Sequence, residues 1–201
     1  MKEMILNKAK NIIIESNRHI DDTKLEEIMY GLEGLYLTFY KLIIILLISI
    51  FLKIFKEVVI FLLLFNIIRF FAFGVHAKNS ITCLISSSII FIFIPLMCKV
   101  LVINNFIKFI LAVSNIILII SYAPADTTKR PIISKNFRKF YKIMSLLVAI
   151  TFNILSFCIK DTFLSNSLLL SILTEAIMIC PFTYKLFKVP YNNYLNFNFE
   201  A

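Results

Sequence analysis

The sequence predicts an all-α membrane protein with about six transmembrane helices, preceded by short amphipathic cytosolic helices at the N-terminus. Of its 201 residues, 60% are hydrophobic and only 16% are charged, whereas an ordinary soluble domain is less apolar and more charged. The apolar residues form long runs, which only 3 Gly and 5 Pro interrupt. These runs do not alternate as barrel strands do. Because backbone groups in lipid must be satisfied within the segment, the runs predict helices.

Residues 1–34 are mixed and charged, and they lack the apolar core and small-residue cleavage site of a signal peptide. They predict two short amphipathic helices on the cytosolic membrane surface. The second is expected to begin at Thr23, because Thr23-Lys24-Leu25-Glu26 has the capping-box pattern and apolar residues follow at helical spacing. We therefore divide the chain into a cytosolic N-terminal segment (1–34), a membrane domain (35–190) and a cytosolic C-terminal tail (191–201).

Six hydrophobic stretches follow, each near the ~20 residues that cross a bilayer. They cover residues 36–52, 57–75, 80–98, 102–123, 143–160 and 163–187. If the N-terminus is inside, most Lys and Arg residues fall on the inner side, so the positive-inside rule predicts that both termini are cytoplasmic. The same topology places the short connection at 74–80 in the cytoplasm.

The net charge of +9 does not predict nucleic-acid binding, because of where the charges lie. The basic cluster at 129–142 is interleaved with apolar residues between two hydrophobic runs, as in a cytoplasmic membrane loop. Its members are Lys129, Arg130, Lys135, Arg138, Lys139 and Lys142. The 4 cysteines form no CxxC pair, so neither a metal site nor a cofactor is expected.

The connection between the second and third spans carries a suggestive pair of reactive residues, His76 and Cys83. If the third span begins at residues 79–80, Cys83 lies in its first turn, where the helix dipole and Lys78 favour a thiolate. On one continuous helix, the pair would be about 10 Å apart along the axis. A catalytic Cys/His pair therefore requires a bend between them, and Gly74 gives the chain freedom to make it. The alternative is an interfacial histidine and an inert cysteine.

Two further features lie on the same predicted membrane face. Arg69 falls inside an apolar span near its cytoplasmic end, where a charge is costly unless it is paired or snorkels to the surface. Snorkelling is one interpretation, and binding a carboxylate or carbonyl of a bound peptide is the other. The second feature is Tyr122-Ala-Pro124-Ala-Asp126-Thr127-Thr-Lys129-Arg130-Pro131, which is framed by prolines. Such a segment is often only a turn.

At these residues the sequence resembles the accessory gene regulator B (AgrB) family of bacterial membrane peptidases. The resemblance rests on Arg69, the run Gly74-Val-His76-Ala-Lys78, Cys83 and the segment from Tyr122 to Pro131. Overall length and the basic cluster also agree. One departure is Phe73, where family members often carry a second Gly or another small residue. The resemblance implies a multi-pass protein of the bacterial cell membrane.

The resemblance also implies a cysteine endopeptidase that acts on a short precursor peptide of the AgrD type in quorum sensing. Cys83 would be the nucleophile and His76 its base and later its acid, so that the precursor's C-terminal tail leaves and a thioester acyl-enzyme remains. An internal Cys or Ser of the peptide would then close a ring. Asp126 is the nearest guess for a third catalytic residue. The implied substrate-binding residues are Arg69, Gly74, Lys129, Arg130 and Pro131.

Two alternatives without covalent chemistry stay open. A small transporter or exporter of a peptide or anionic cargo would account for the embedded charges Lys41, Arg69 and Lys108. The scarcity of Gly and Pro breaks argues against it, because such breaks build midplane binding sites. A membrane subunit that only scaffolds a partner would make Cys83 dispensable. The oligomeric state is not predicted, and a homo-oligomer is one option.

Overall fold

The computed structural model describes residues 2–16, 21–75, 80–127 and 131–196, and most of these residues are helical. These ranges contain no strand, and Phe73 forms an isolated parallel bridge with Ala125. The helices are α1 (Lys2–Ser16), α2 (Asp22–Phe51), α3 (Phe55–Ala72), α4 (Ser80–Val100), α5 (Asn105–Tyr122), α6 (Lys135–Cys158), α7 (Thr162–Met178) and α8 (Pro181–Leu186), followed by a 3₁₀ turn at Asn193–Asn196. The predicted all-α class is confirmed.

The chain forms two compact units, Met1–Ile48 and Ser49–Ala201. The first unit holds α1 and most of α2. Here the structure differs from the predicted boundary, since α2 is one helix of 30 residues that begins at Asp22 and continues to Phe51. Gly31 and Gly34 lie inside it, and each weakens a helix by only about 1 kcal/mol, which does not end one.

The second unit is a helical bundle with α7 at its centre. Helix α7 packs against α3, α4, α5 and α6. Its buried residues include an unusual number of polar side chains, among them Asn166, Thr174 and Glu175. The apolar core around it includes Ile68, Ile119, Phe152, Leu168 and Ile172. A polar helix can occupy this position because its neighbours supply hydrogen-bond partners.

Polar contacts join helix ends at two heights along the bundle axis, which we call its two levels. At one level, Lys99 at the end of α4 lies 2.6 Å from Glu57 at the start of α3. At the same level, Asn166 Nδ2 near the start of α7 donates to the carbonyls of Cys98, at 3.0 Å, and Leu101, at 2.8 Å. At the other level, the last turn of α3 contacts the last turn of α7. Thus α3 and α7 run parallel to each other and antiparallel to α4.

Within the part of the chain that the structure describes, four helical segments are long and apolar enough to cross a membrane: Lys24–Phe51, Ile81–Val100, Asn105–Tyr122 and Lys135–Cys158. Many of their large apolar side chains are exposed, as expected of surfaces that face lipid. The other two predicted spans correspond to α3, an 18-residue helix with charges at both ends, and α7, which has 17 residues. These features support a multi-pass membrane protein.

Two further boundaries differ from the sequence prediction. Helix α6 begins at Lys135, so the second half of the predicted basic loop is helical. The stretch predicted as one span at 163–187 divides into α7 and α8, because Pro181 has no N–H to donate and fits only the first turn of a new helix. Asn104 and Asp161 cap α5 and α7, each accepting a hydrogen bond from a backbone N–H three residues later.

Candidate functional site

The chain turns directly after α3, whereas the predicted bend between His76 and Cys83 lies partly outside the described residues. The helix ends at Ala72, and the next residues turn away with φ of 63° at Phe73 and 117° at Gly74. The Gly74 N–H donates to the Ala125 carbonyl at 2.9 Å, and the Ala125 N–H donates to the Ala72 carbonyl at 2.9 Å. These two bonds attach the bend to the segment after α5. His76 lies two residues after Gly74 and, with Lys78, is outside the described residues.

Arg69 is paired inside the protein. Its Nη1 lies 3.1 Å from Oε2 of Glu175, which is fully buried on α7. Its Nη2 donates to the Val75 carbonyl at 2.8 Å, one residue before His76. The guanidinium therefore links α3, α7 and the bend. Sequence reasoning missed Glu175, although a lone acidic residue in an apolar run is a signal of a buried partner.

Gly74 packs directly on this ion pair. A Cβ atom at this position would lie 2.9 Å from Arg69 Nη1, 3.2 Å from Glu175 Oε1 and 3.3 Å from Ile179 Cγ2. The positive φ also disfavours any L side chain. Glycine is thus required here by the backbone conformation and by the close approach of the guanidinium. Substrate contacts by Arg69 and Gly74 stay predictions.

Cys83 lies in the first turn of α4, which begins at Ser80, as the sequence predicted. The side chain is half-buried and forms no disulfide. Ser86 Oγ donates to its carbonyl at 3.2 Å within the helix. Helix α3 ends at Ala72 and α4 is described from Ser80, so the geometry between His76 and Cys83 lies outside the described residues. Their catalytic roles stay predictions.

The segment after α5 is fixed by the C-terminal residues. The buried Asp126 carboxylate accepts hydrogen bonds from the backbone N–H groups of Asn193, at 3.0 Å, and Tyr194, at 2.8 Å. The Tyr184 hydroxyl donates to the carbonyls of Ala125, at 3.2 Å, and Asp126, at 2.9 Å. Both carboxylate oxygens thus have structural partners. Residues 191–194 of the predicted tail therefore pack on the membrane domain.

Of the predicted substrate-binding residues in this region, Pro131 is half-buried before α6, and Lys129 and Arg130 lie outside the described residues. Nearby is a cavity of about 360 Å³. It lies between the C-terminal end of α5, the first turns of α6 and residues 191–194. Arg138, Lys139 and Lys142 contribute positive charge to its lining. This region is therefore basic in the structure, as the sequence predicted.

The embedded charges that suggested a transporter have partners within the protein at two positions. Arg69 binds Glu175, as described above, and Lys108 Nζ lies 2.6 Å from Ser165 Oγ and 3.4 Å from the Ser156 carbonyl. Lys108 thereby joins α5 to the ends of α6 and α7. Both cations stabilise helix contacts, which weakens the argument for a pathway for anionic cargo.

Comparison with known proteins gives consistent matches. The family described as Accessory gene regulator B matches residues 6–179. An AgrB-like protein of Clostridium acetobutylicum is 30% identical over 199 residues, which cover 98% of this chain and 95% of the relative. Accessory gene regulator protein B of Staphylococcus aureus strain RF122 is 32% identical over 168 residues, which cover 84% of this chain and 89% of the relative. No solved structure gives a significant match.

Proposed function

Because the chain belongs to the accessory gene regulator B family, we propose that it is an integral-membrane cysteine endopeptidase that processes a short AgrD-like precursor peptide. Family membership supports a role in the processing of a quorum-sensing peptide. The finer proposal is that the protein cleaves the precursor's C-terminal tail through a thioester and so enables ring closure.

The helix break between Ala72 and Ser80 is the observation that carries this proposal. The break ends α3 shortly before His76, and Cys83 lies in the first turn of the next helix, α4. The turn leading to His76 is held from two sides, by Arg69 on the Val75 carbonyl and by Ala125 on the Gly74 N–H. Such support suits a catalytic residue, because a reactive side chain must be held close to its productive position.

In the proposed reaction, His76 takes the thiol proton of Cys83, and the sulfur attacks the carbonyl carbon of the scissile peptide bond. Backbone N–H groups at the start of α4 are the candidate donors to the oxyanion. When the C–N bond breaks, His76 returns the proton to the leaving amine, so that the tail departs and a thioester remains. An internal thiol or hydroxyl of the peptide then attacks the thioester, which closes the ring and releases Cys83.

A membrane-boundary site suits this second step. Exchange of the acyl group between thiols is close to isoenergetic, whereas hydrolysis discards the activation of the thioester. Exclusion of water therefore favours cyclisation over hydrolysis. Lys129, Arg130 and Pro131 are proposed to receive the acidic tail, while Arg69 and Gly74 are proposed to support the substrate site through the bend.

The test is co-expression with a precursor encoded by a neighbouring short reading frame that has an amphipathic leader, a central Cys or Ser and an acidic tail. Tail release is measured by mass spectrometry. We expect Cys83→Ala and His76→Ala each to lower cleavage at least about a thousandfold, since removal of a nucleophile or its base disables the whole catalytic unit.

The matched control is Cys158→Ala, which removes an exposed thiol at the C-terminal end of α6. It should leave cleavage unchanged, and all three variants should reach wild-type levels in the membrane. Cleavage that survives the loss of Cys83 would refute the mechanism and return attention to the transporter or scaffold alternatives.

A further inference from the structure

The cavity beside α6 has the charge pattern of an anion site. Three cationic side chains line it, Arg138, Lys139 and Lys142, and no Asp or Glu is among the described residues in its lining. Cations gathered at a concave surface without a compensating carboxylate raise the local concentration of anions. A ligand for this cavity is therefore expected to carry negative charge.

Arg138 is held in a geometry that suits an anion. Its guanidinium carbon lies 3.4 Å from the centroid of the Tyr194 ring, so the ring covers one face of the guanidinium. Its Nη1 is buried, and among the described residues it has no hydrogen-bond partner. A planar guanidinium stacked in this way keeps its in-plane donors oriented for two oxygens of one anion. An anion oxygen would satisfy the unpaired donor.

Tyrosine hydroxyls add neutral donors to the same lining. Tyr122 and Tyr191 both line the cavity. Burial raises the pKa of Tyr191, so its hydroxyl remains protonated and able to donate near neutral pH. A cavity with several cations and hydroxyl donors fits a tetrahedral oxyanion better than an uncharged ligand.

The surroundings of the cavity indicate that the anion comes with apolar chains attached. Along the first turns of α6, exposed Phe137, Phe140 and Ile143 alternate with the cations. The cavity also lies where one apolar helix, α5, ends and another, α6, begins. Tyrosines and basic residues at helix ends beside exposed apolar side chains are typical of the boundary between hydrocarbon and headgroups. An extended acidic peptide would instead need a long groove.

We propose that this cavity binds the phosphate group of an anionic phospholipid. Arg138 donates in its plane to two phosphate oxygens, and Lys139 and Lys142 add positive charge. The acyl chains extend along the apolar side chains of α6. This site is separate from the chemistry proposed for Cys83, so either proposal can fail while the other stands.

The test uses the full chain purified in dodecyl maltoside and presented with equal amounts of dioleoyl phosphatidylglycerol and dioleoyl phosphatidylcholine. Retained lipid is counted by native mass spectrometry. Wild type should retain phosphatidylglycerol about tenfold over phosphatidylcholine, and Arg138→Gln should remove most of that preference, as expected for loss of a charge-assisted contact. Because Arg138→Gln also removes the Tyr194 stacking, Lys142→Gln is the second variant, and it should weaken the preference in the same direction.

The matched control is Lys160→Gln, which removes an exposed lysine at the opposite end of α6. It should retain lipid as wild type does. Excess sodium phosphate and an oligoglutamate peptide are added in separate arms, and neither should displace phosphatidylglycerol. Displacement by phosphate would assign the cavity to a free anion, and displacement by oligoglutamate would assign it to an acidic peptide. Either result, or equal retention by every variant, would overturn the proposal.

Discussion

At the scale of single residues, the contact between Arg69 and Glu175 is the most consequential in the bundle. Glu175 is fully buried, and Arg69 is largely so. A buried ion pair adds little net stability compared with apolar residues, but loss of one partner leaves a charge without compensation. The pair also positions the bend, because the same guanidinium donates to the Val75 carbonyl. Stability and the geometry before His76 are therefore coupled through one side chain.

The ion pair can be tested with a double-mutant cycle. We expect Glu175→Leu and Arg69→Met each to lower the free energy of unfolding by about 3 kcal/mol, because each leaves the other charge unpaired. The combined variant should lose much less than the sum. Unfolding in mixed micelles, followed by circular dichroism, measures all four proteins. Effects that add to within about 0.5 kcal/mol would show that the two residues act independently.

Gly74 offers a second test at the same scale. Gly74→Ala should destabilise the protein by at least about 1–3 kcal/mol, the usual cost of a strained backbone conformation, since its φ is 117°. The new Cβ would also press on the Arg69 guanidinium at 2.9 Å. The same unfolding measurement applies, and precursor cleavage should fall with stability.

Gly34→Ala is the matched control for this substitution. Gly34 lies inside α2, and a Cβ there would meet nothing within 4 Å. Alanine in a helix interior is favoured over glycine by about 1 kcal/mol, so this variant should be as stable as wild type or more stable. If Gly74→Ala left the free energy of unfolding as high as Gly34→Ala does, the close packing at the bend would contribute nothing to stability.

At the scale of helices, the sequence predicted positions better than ends. Hydrophobic runs located α3, α4 and α5 closely, because burial in lipid or in the bundle requires apolar residues throughout the helix. Ends depend on local chemistry instead. Helix α6 begins at Lys135 because basic residues are good helix formers. A hydropathy pattern assigns the same basic residues to a loop, because they are polar. Likewise, Pro181 divides a run that is apolar on both sides.

The contacts between segments were the least predictable. The Gly74 bend was foreseen, because glycine is the residue that such a turn requires. By contrast, the pairing of Arg69 with Glu175 was not predicted. The two residues are 106 positions apart, and sequence spacing does not show which helix faces meet. The contact of Asp126 with residues 193–194 was also missed. Its donors are backbone N–H groups, which every residue but proline has, so no side-chain pattern marks them.

At the scale of the molecule, the two levels at which helix ends meet indicate which helices cross the membrane. Helix α3 starts level with the end of α4, through the contact of Glu57 with Lys99. Helix α7 starts at that same level, through the bonds of Asn166 to Cys98 and Leu101. Both helices therefore start where α4 ends, and both run antiparallel to α4, which is long enough to span. The charged and polar side chains of α3 and α7 have partners inside the bundle.

This alignment predicts six crossings with both termini in the cytoplasm. The connection at 101–104 would then face outward and the start of α6 inward, where its basic residues lie. If only the four long helices crossed, the connection at 101–104 and the start of α6 would exchange sides.

Single cysteines at Val102 and Phe137 in a variant without the native cysteines separate these topologies, since both side chains are well exposed. A membrane-impermeant maleimide added to intact cells should label Val102→Cys and spare Phe137→Cys, and both should react after permeabilisation. Labelling of Phe137→Cys in intact cells would instead mean that α3 does not cross or that the orientation is reversed, and in either case Cys83 would lie at the outer surface.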